Sequence, residues 1–391
     1  MIILDAPYAS RPLAQWLGQS QHPVLANDFS RALSAGAEMP LNLVDDAEAT
    51  RRIDAGERVY TNSENALAWI LGHTSNKALS DAIRLFKDKA AMRERLAPLC
   101  PGLFCVTLDR CELEAVNVDD LPLPVVLKPS VGFCSMGVYV IGERDDWAAA
   151  VADIARHEGE WHARYPEDVV GSQTYLVEGY LAGTEYALDA YFDEDGHAHV
   201  LNVLRHDFAG PEDTSDRLYL TDAALVEGLA PRLTAWLDQV NALVGARSFP
   251  VHVELRIDGD VIAPIEFNPL RFAGLGGTDV AYYAVGLRTY QALLEGDDPD
   301  LPALYAAHPG DVFSLSLLTP APDADLTRPF DYEALASHFT DVLALVPFDV
   351  QAVGAYGFLF LRTDAATAAE RDWLLHADLE AFVDGRDGDE R

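Results

Sequence analysis

The stretch PVHVELRIDGDVIAPIEFNPLRFAG, residues 250–274, decides the fold of this chain. Two apolar runs, typical of strands, flank the pair Asp-Gly at 258–259, which favours a short hairpin turn. Glu254 lies on the first run, and Glu266 and Asn268 lie on the second. Because strand side chains alternate between faces, Glu266 and Asn268 point the same way. Carboxylate and amide oxygens suit a hard cation, so the hairpin predicts a Mg²⁺ site.

The length of the turn decides whether the three side chains share a face. A two-residue Asp-Gly turn would pair Glu254 with Ala263 and put Glu266 on the opposite face. A three-residue loop over 257–259, with its glycine left-handed as a bulge, pairs 254 with 262 and 250 with 266. The metal hypothesis therefore predicts the three-residue loop. The alternative is a solvated acidic hairpin that binds no ion.

The chain is strongly acidic. Its 391 residues carry a formal net charge of −35, and the sequence pI is about 4.4. This charge argues against nucleic acid or an anionic membrane as the main partner, because their phosphates would be repelled. A polyanionic ligand would need a local cluster of cations and a metal. Lysine is rare, with four among 28 basic residues, at positions 77, 87, 89 and 128.

The four cysteines show no spacing typical of a zinc site, and no disulfide framework is needed. No uncharged apolar run approaches membrane-spanning length, and an acid follows the first apolar residues at Asp5. We therefore expect a soluble, cytoplasmic protein.

Composition and periodicity predict an α/β chain with three regions. Over roughly residues 1–75, short apolar runs alternate with helical stretches, which is typical of a parallel α/β domain. Thr61 and Glu64 have the spacing of a capping box at a helix start. Residues 87–310 form the largest region. Residues 311–391 read as a separate small α+β unit.

Residues 123–141 place two apolar strands around a loop of small residues that Lys128 precedes. Gly132, Ser135 and Gly137 would let backbone N–H groups approach a phosphate, while Lys128 supplies charge. The pattern is not a Walker A loop, because the lysine precedes the glycines and no helix follows directly. The alternative is a glycine-rich hairpin with a chance lysine.

In chain order, these motifs resemble the ATP-grasp superfamily, most closely its carboxylate–amine ligases such as D-alanine–D-alanine ligase and L-amino acid ligases. The resemblance runs from about residue 87 to 277, with a weaker likeness over 1–75 to the preceding α/β domain. It implies a pre-ATP-grasp domain at 1–86 and a two-subdomain ATP-grasp α+β core at 87–310. The unit at 311–391 has no counterpart in the shortest members.

The resemblance also implies residue roles in nucleotide binding. Lys89 and Lys128 look like the two ATP-binding lysines, and 132–137 is similar to the mobile loop that covers the phosphates, with Ser135 as a donor. Glu185 matches the acid that binds the ribose hydroxyls. The backbone that contacts adenine would belong to a hinge formed by Glu178, Gly179, Tyr180 and Leu181.

For the metal, Glu254, Glu266 and Asn268 match the ligands of two Mg²⁺ ions, with Mn²⁺ as another candidate. Arg271 would join Lys128 in catalysis by binding phosphate or substrate carboxylate, although it follows Asn268 by three residues where the family usually has two. Where the closest ligases carry arginine, this chain has His252, so D-alanine specificity does not transfer.

The implied activity is an ATP-dependent ligase. It would activate a small carboxylic acid, an amino acid in our hypothesis, as an acyl phosphate and join it to an amine, releasing ADP and phosphate. The alternatives are a carboxylase- or kinase-like enzyme of the same fold and a non-catalytic ATP-binding regulatory module. The general base is not identified, with His206, Asp207 and His252 as candidates. The expected partners are small molecules, and a homodimer stays open.

Overall fold

The computed structural model describes residues 1–131, 137–164, 174–210 and 213–383, without the side chains of 158–164. The predicted phosphate-loop residues Gly132 and Ser135 lie outside these ranges, and Gly137 lies at their border with φ 69°. None of the helices in the described ranges is both long and apolar enough to span a bilayer. Three β-sheets organise the described chain.

The N-terminal region contains a four-stranded parallel sheet, as predicted. Its short apolar strands need helical crossovers, because parallel neighbours cannot be joined by a tight turn. The sheet has the order β3-β2-β1-β4, and its elements are β1 (Ile2–Ile3), α1 (Arg11–Ser20), β2 (Pro23–Leu25), α2 (Asp28–Gly36), β3 (Asn42–Val44), α3 (Asp46–Asp54), β4 (Tyr60–Thr61) and α4 (Ala66–His73).

The predicted capping box before α4 is wrong. The helix begins at Ala66, and its N-cap residue Asn65 makes no side-chain capping bond. Thr61 instead donates its hydroxyl to the carbonyl of Leu270, at 3.2 Å. Glu64 instead forms buried ion pairs with Lys87 and Arg271. Charge-assisted hydrogen bonds of this kind are stronger than the bond to a neutral N–H group at a helix start.

A second sheet of four antiparallel strands, ordered β5-β8-β6-β7, follows two helices. Asp88 separates the helices by capping the second with bonds to the N–H groups of Ala90 and Ala91. The elements are α5 (Lys77–Lys87), α6 (Lys89–Leu96), β5 (Cys105–Asp109), β6 (Val125–Pro129), β7 (Tyr139–Ile141), α7 (Arg144–Arg164) and β8 (Thr174–Gly179).

The third sheet is antiparallel and has eight strands in the order β13-β12-β9-β10-β11-β14-β16-β15. Its strands are β9 (Thr184–Phe192), β10 (Ala198–Asp207), β11 (Leu218–Asp222), β12 (Phe249–Asp258), β13 (Val261–Pro269), β14 (Val312–Leu318), β15 (Val342–Pro347) and β16 (Gly357–Thr363). The accompanying helices are α8 (Ala223–Val244), α9 (Val280–Val285), α10 (Thr289–Glu295), α11 (Leu301–Ala306), α12 (Tyr332–Ala336), α13 (Val350–Val353) and α14 (Ala368–His376).

The C-terminal strands belong to this third sheet. β14 pairs with β11, so the region expected to be a separate unit extends the central sheet by three strands. It also has an apolar cluster of its own, which includes Leu335, Tyr356 and Leu374. Sequence periodicity identified these strands but could not show which sheet they join, because pairing depends on distant residues. The domain boundaries at 86/87 and 310/311 stay predictions.

The hairpin of β12 and β13 has a tighter turn than predicted. Asp258 pairs with Val261, so Gly259 and Asp260 alone form the turn, and the predicted three-residue loop is wrong. Gly259 has φ 55°, which suits the first central position of a type II′ turn. Gly259 is therefore the first residue of the two-residue turn, and it is not the last residue of a bulged three-residue loop.

A bulge lies further along the same hairpin. Leu255 pairs with Pro264, but Glu254 pairs with Glu266, so Ile265 is an extra residue on β13. A β-bulge of this kind sets two residues of one strand against one of its partner. The two glutamates therefore lie opposite each other in spite of the tight turn.

Candidate functional site

The predicted metal ligands lie together at the bulged end of the hairpin. Glu266 accepts an ion pair from the Lys89 ammonium through Oε2 at 2.8 Å and a hydrogen bond from the Asn268 amide through Oε1 at 3.1 Å. Glu254 lies across from Glu266, with His252 Nε2 3.7 Å from its Oε1. Within the described ranges, no hydrogen bond reaches Glu254, so its carboxylate is available to a ligand.

The pKa values of the two glutamates shift in opposite directions, because only Glu266 has a lysine partner. Burial raises the pKa of Glu254 well above its usual range, and the charges of Glu266, Asp216 and Glu185 add to this rise. Burial acts the same way on Glu266, but the Lys89 ammonium outweighs it and lowers the pKa of that carboxyl. The pair therefore has one carboxyl that Lys89 keeps ionised and one that a bound cation would help to ionise.

Lys128, the other predicted phosphate lysine, lies in a buried ion-pair cluster. Its ammonium is 2.5 Å from Glu178 Oε1, and Arg93 Nε is 2.5 Å from Glu178 Oε2. Burial lowers the pKa of Lys128, although the Glu178 charge opposes this. Glu178, predicted to offer its backbone to adenine, thus also holds both cations through its side chain.

The other predicted hinge residues lie at the end of β8. The N–H groups of Gly179 and Tyr180 donate to the carbonyls of Phe104 and Pro124, at 2.9 and 3.1 Å. Arg256 joins the hinge to the large sheet, because its Nη1 donates to the Tyr180 hydroxyl at 2.9 Å and to the Leu181 carbonyl at 3.0 Å. These bonds fix the hinge between the two sheets.

Glu185, the predicted ribose acid, is fully paired by side chains. His206 Nδ1 lies 3.0 Å from Oε1, and Arg256 donates to Oε2 from Nε at 3.1 Å and Nη2 at 3.0 Å. Burial would raise the pKa of Glu185, but these two partners lower it. A ribose bound here would share the carboxylate with His206 and Arg256.

Arg271 lies beneath the site in a buried ion pair with Glu64. Its Nη2 and Nε donate to Glu64 Oε1 at 2.9 and 3.3 Å, and its Nη1 donates to the Phe272 carbonyl at 3.0 Å. Lys87 pairs with the other oxygen of Glu64. Although burial opposes it, the charges of Lys87 and Arg271 lower the pKa of Glu64 to about 2.

The start of α6 brings these groups together. The N–H of Lys89 donates to the Ser130 carbonyl at 2.8 Å, and the Ser130 hydroxyl donates to Asp88 at 3.1 Å. Because Ser130 follows β6, the strand of Lys128, helix α6 links the second sheet to the glutamates of the third. Three of the four lysines thus lie in buried ion pairs.

Sequence reasoning missed several of these partners. Arg93 is four residues after Lys89 and therefore lies on the same face of α6, which was a usable signal. Asp189, whose Oδ1 lies 2.8 Å from His252 Nδ1, is four residues after Glu185 on β9, an even spacing that also predicts a shared face. Glu64 and Arg256 gave no comparable local signal for their roles.

The residues present fit a divalent cation. Glu254 offers a carboxylate whose closest ion-pair partner in the described part of the chain is His252 at 3.7 Å. The amide nitrogen of Asn268 is used on Glu266, so the carbonyl oxygen of Asn268 remains for a cation. Among the described residues, no group of three His, Cys, Asp or Glu side chains is arranged as a metal site. The fit therefore depends on the amide of Asn268 as the third ligand.

Comparisons with known proteins identify the fold. A protein-family model described as an ATP-grasp domain matches residues 121–279. L-amino acid ligase from Bacillus licheniformis superposes with a TM-score of 0.63 at 16% identity, over 98% of this chain and 97% of that one. A comparison with curated proteins yields no match.

Two nucleotide complexes also superpose on the chain. Biotin carboxylase from Campylobacter jejuni, bound to β,γ-ATP, gives a TM-score of 0.62 at 13% identity, covering 93% of this chain and 87% of that one. N5-carboxyaminoimidazole synthase from Aspergillus clavatus, in complex with ADP and 5-aminoimidazole ribonucleotide, gives a TM-score of 0.60 at 16% identity. The superposition covers 96% of this chain and 96% of that one. At these identities the likeness establishes the fold. Residues 121–279 match the ATP-grasp domain model, and the chain as a whole shares the fold of these solved structures.

Proposed function

We propose that the protein is an ATP-dependent carboxylate–amine ligase that forms ADP and phosphate. The observation that carries the proposal is the pair Glu254 and Glu266, opposed on adjacent strands with Asn268 beside them and Lys89 on one carboxylate. This arrangement supplies oxygen ligands for a divalent cation and a lysine for phosphate within one cleft. We propose that the acid substrate is a small carboxylic acid, with an amino acid as the first candidate.

Charge neutralisation is the central task of such a site. Phosphoryl transfer depends mainly on positioning and on stabilising charge. The chain as a whole has the wrong sign for ATP, so the cations Lys89 and Lys128 must act locally. Mg²⁺, held by Glu254, Glu266 and Asn268, would supply the remaining positive charge when bound. We leave the number of ions at one or two, with Mn²⁺ as a substitute to test.

Substrate ATP would displace existing ion pairs. Lys89 would turn from Glu266, and Lys128 from Glu178, towards the phosphates, while Arg93 keeps Glu178 paired. For Arg271 the contacts favour a different role from the predicted one. Because Nε, Nη1 and Nη2 all donate within the protein, this arginine holds the segment after β13 against Glu64.

The test is ADP and phosphate release by the purified protein with Mg-ATP and panels of acids and amines. We expect release only when an acid and an amine are both present. Formation of AMP and pyrophosphate would overturn the acyl-phosphate chemistry. The variant Glu266→Gln should be inactive, whereas Glu333→Gln, which changes an exposed glutamate on α12, should match the wild type.

A second candidate is carboxylation, with bicarbonate as the acid. Several structures with the same fold are N5-carboxyaminoimidazole ribonucleotide synthetases and biotin carboxylases, with TM-scores close to that of the amino acid ligase. A bicarbonate arm in the same screen separates the two. Stimulation by bicarbonate, and by no other acid, would favour carboxylation.

A further inference from the structure

A cavity of about 330 Å³ lies where three parts of the chain meet. The segment after β1, with Tyr8 and Ser10, forms one side, and residues 275–283 form the floor. The third side comes from β15 and β16. The C-terminal strands, which had no assigned role, thus supply a wall. The volume is at the lower end of the range for small-molecule sites, which suits a metabolite of amino-acid size.

The walls of this cavity are largely apolar and firmly packed. Val346 and Phe360 line it from the C-terminal strands, and Leu275 lines it from the floor. Tyr283 packs on Phe360 with ring centroids 4.6 Å apart. Aromatic contacts of this kind hold a pocket open without a ligand, because large rings in contact cannot collapse further.

One carboxylate, Asp279, is buried in the floor. Its side chain is only 2% exposed, and its Oδ1 has no hydrogen-bond partner among the described residues. Asp279 occupies the N-cap position of α9, yet its side chain does not cap that helix. A buried carboxylate oxygen that lacks a hydrogen-bond partner is costly, so Asp279 at the floor of this cavity points to a ligand.

The charged surroundings of Asp279 leave it short of a cation. Burial raises the pKa of Asp279 to about 7, and the Asp189 charge adds to this, while the hydroxyls of Ser10 and Tyr290 and the charge of Arg288 oppose it. Arg288 itself lies over the Tyr282 ring, with its guanidinium carbon 4.5 Å from the centroid. A bound ammonium would supply the missing charge.

Asp189 connects the cavity floor to the metal ligands. The hydroxyl of Thr278 donates to Asp189 Oδ2 at 2.7 Å, and the N–H of Ala273 donates to Oδ1 at 2.8 Å. His252 Nδ1 also lies 2.8 Å from Oδ1, and its other nitrogen faces Glu254. The floor therefore continues, through one buried carboxylate, to the proposed centre of phosphoryl transfer.

We propose that this Asp279 cavity binds the amine substrate and that the substrate is an apolar amino acid. Its ammonium group pairs with Asp279, its side chain packs on the wall formed by β15 and β16, and its carboxylate meets Arg11 at the mouth. The assignment of the bound molecule as a substrate rests on the proposed function. The binding itself does not, and it is tested without ATP.

The direct test is calorimetric titration of the ATP-free protein with L-phenylalanine, phenethylamine and 3-phenylpropionate. L-Phenylalanine should bind, and phenethylamine, which lacks the carboxylate, should bind more weakly. 3-Phenylpropionate, which lacks the ammonium group, should bind at least about tenfold more weakly than L-phenylalanine. L-Leucine is titrated as a second apolar amino acid. The proposal is overturned if the three phenyl compounds bind equally, or if neither they nor L-leucine bind at all.

Variants separate the carboxylate from the cavity. Asp279→Asn keeps the shape and should weaken L-phenylalanine binding about tenfold or more. Ala344→Leu leaves Asp279 intact but fills the β15 wall, and it should also weaken binding. Asp81→Asn, at an exposed helix carboxylate, is the matched control and should bind as the wild type does. Wild-type affinity in both cavity variants would refute the site.

The turnover assay distinguishes this proposal from the proposed function. If ADP release needs an amine but Asp279→Asn leaves its KM unchanged, the cavity assignment fails and the ligase activity stands. If L-phenylalanine binds in an Asp279-dependent way but no acid yields ADP with it, the site stands as a binding site and its role as substrate site falls.

Discussion

Glu254 and Glu266 lie directly opposite each other on β12 and β13, although only two residues turn the chain between these strands. Without Ile265 as an extra residue, Glu254 would face position 265, and Glu266 would point to the other side of the sheet. The bulge therefore assembles the proposed cation site. Bulges recur next to functional sites because they redirect a side chain while the strand continues.

The first prediction concerns Glu266. Glu266→Gln should lower turnover by at least about a hundredfold, since it removes a charged side chain that we propose as a metal ligand. Stability should change little, because the repulsion of Glu254 falls while Lys89 loses its partner. The measurements are ADP release across a Mg²⁺ titration and thermal unfolding with and without Mg²⁺. Wild-type Mg²⁺ dependence in this variant would place the metal elsewhere.

The second prediction separates two roles of Lys128. Lys128→Met leaves the buried Glu178 with Arg93 alone, so unfolding should become easier by about 3 kcal/mol, and turnover should be lost. The double variant Lys128→Met with Glu178→Gln should recover part of the stability and none of the activity. Urea unfolding and ADP release measure the two effects. Recovery of activity in the double variant would show that Lys128 has no role beyond its ion pair.

The third prediction is acid destabilisation through Glu64. Its pKa is lowered from 4.5 to about 2, so its stabilising contribution is complete above pH 4.5 and disappears as the pH falls towards 2. Each pKa unit corresponds to about 1.4 kcal/mol, so lowering the pKa by about 2.5 contributes roughly 3 to 4 kcal/mol to the free energy of unfolding.

The variant Glu64→Gln isolates that contribution. It should be less stable than the wild type near pH 7, and the two should converge near pH 2. Urea unfolding midpoints over this range provide the comparison. A difference in unfolding midpoint that stays the same at every pH would show that Lys87 and Arg271 do not lower the pKa of Glu64.

The fourth prediction concerns His252, which links Asp189 to Glu254. Side chains that orient metal ligands typically contribute ten- to a hundredfold in affinity, so His252→Gln should raise the Mg²⁺ concentration for half-maximal ADP release about tenfold. The maximal rate at saturating Mg²⁺ should change less. His73→Gln, at an exposed histidine, is the control. A lower maximal rate with unchanged Mg²⁺ dependence would instead make His252 a proton-transfer candidate.

Local patterns in the sequence determined much of the fold. The short apolar runs in residues 1–75 predicted a parallel α/β unit, because burial on both faces leaves a continuous apolar signature, and the parallel sheet confirms it. Alternation along β13 placed Glu266 and Asn268 on one side, and the order of the motifs identified the ATP-grasp domain. Each of these signals lies within a few residues or in the linear order of the chain.

Tertiary structure alone decided the partners. Arg271 meets Glu64 across 207 positions, and Lys128 and Arg93 share Glu178, pairings that no local pattern encodes. The sequence by itself predicted the wrong turn at Gly259 and gave no sign of the bulge at Ile265. Strand register and buried ion pairs depend on which distant surfaces meet, since their free energy is realised only after packing excludes water.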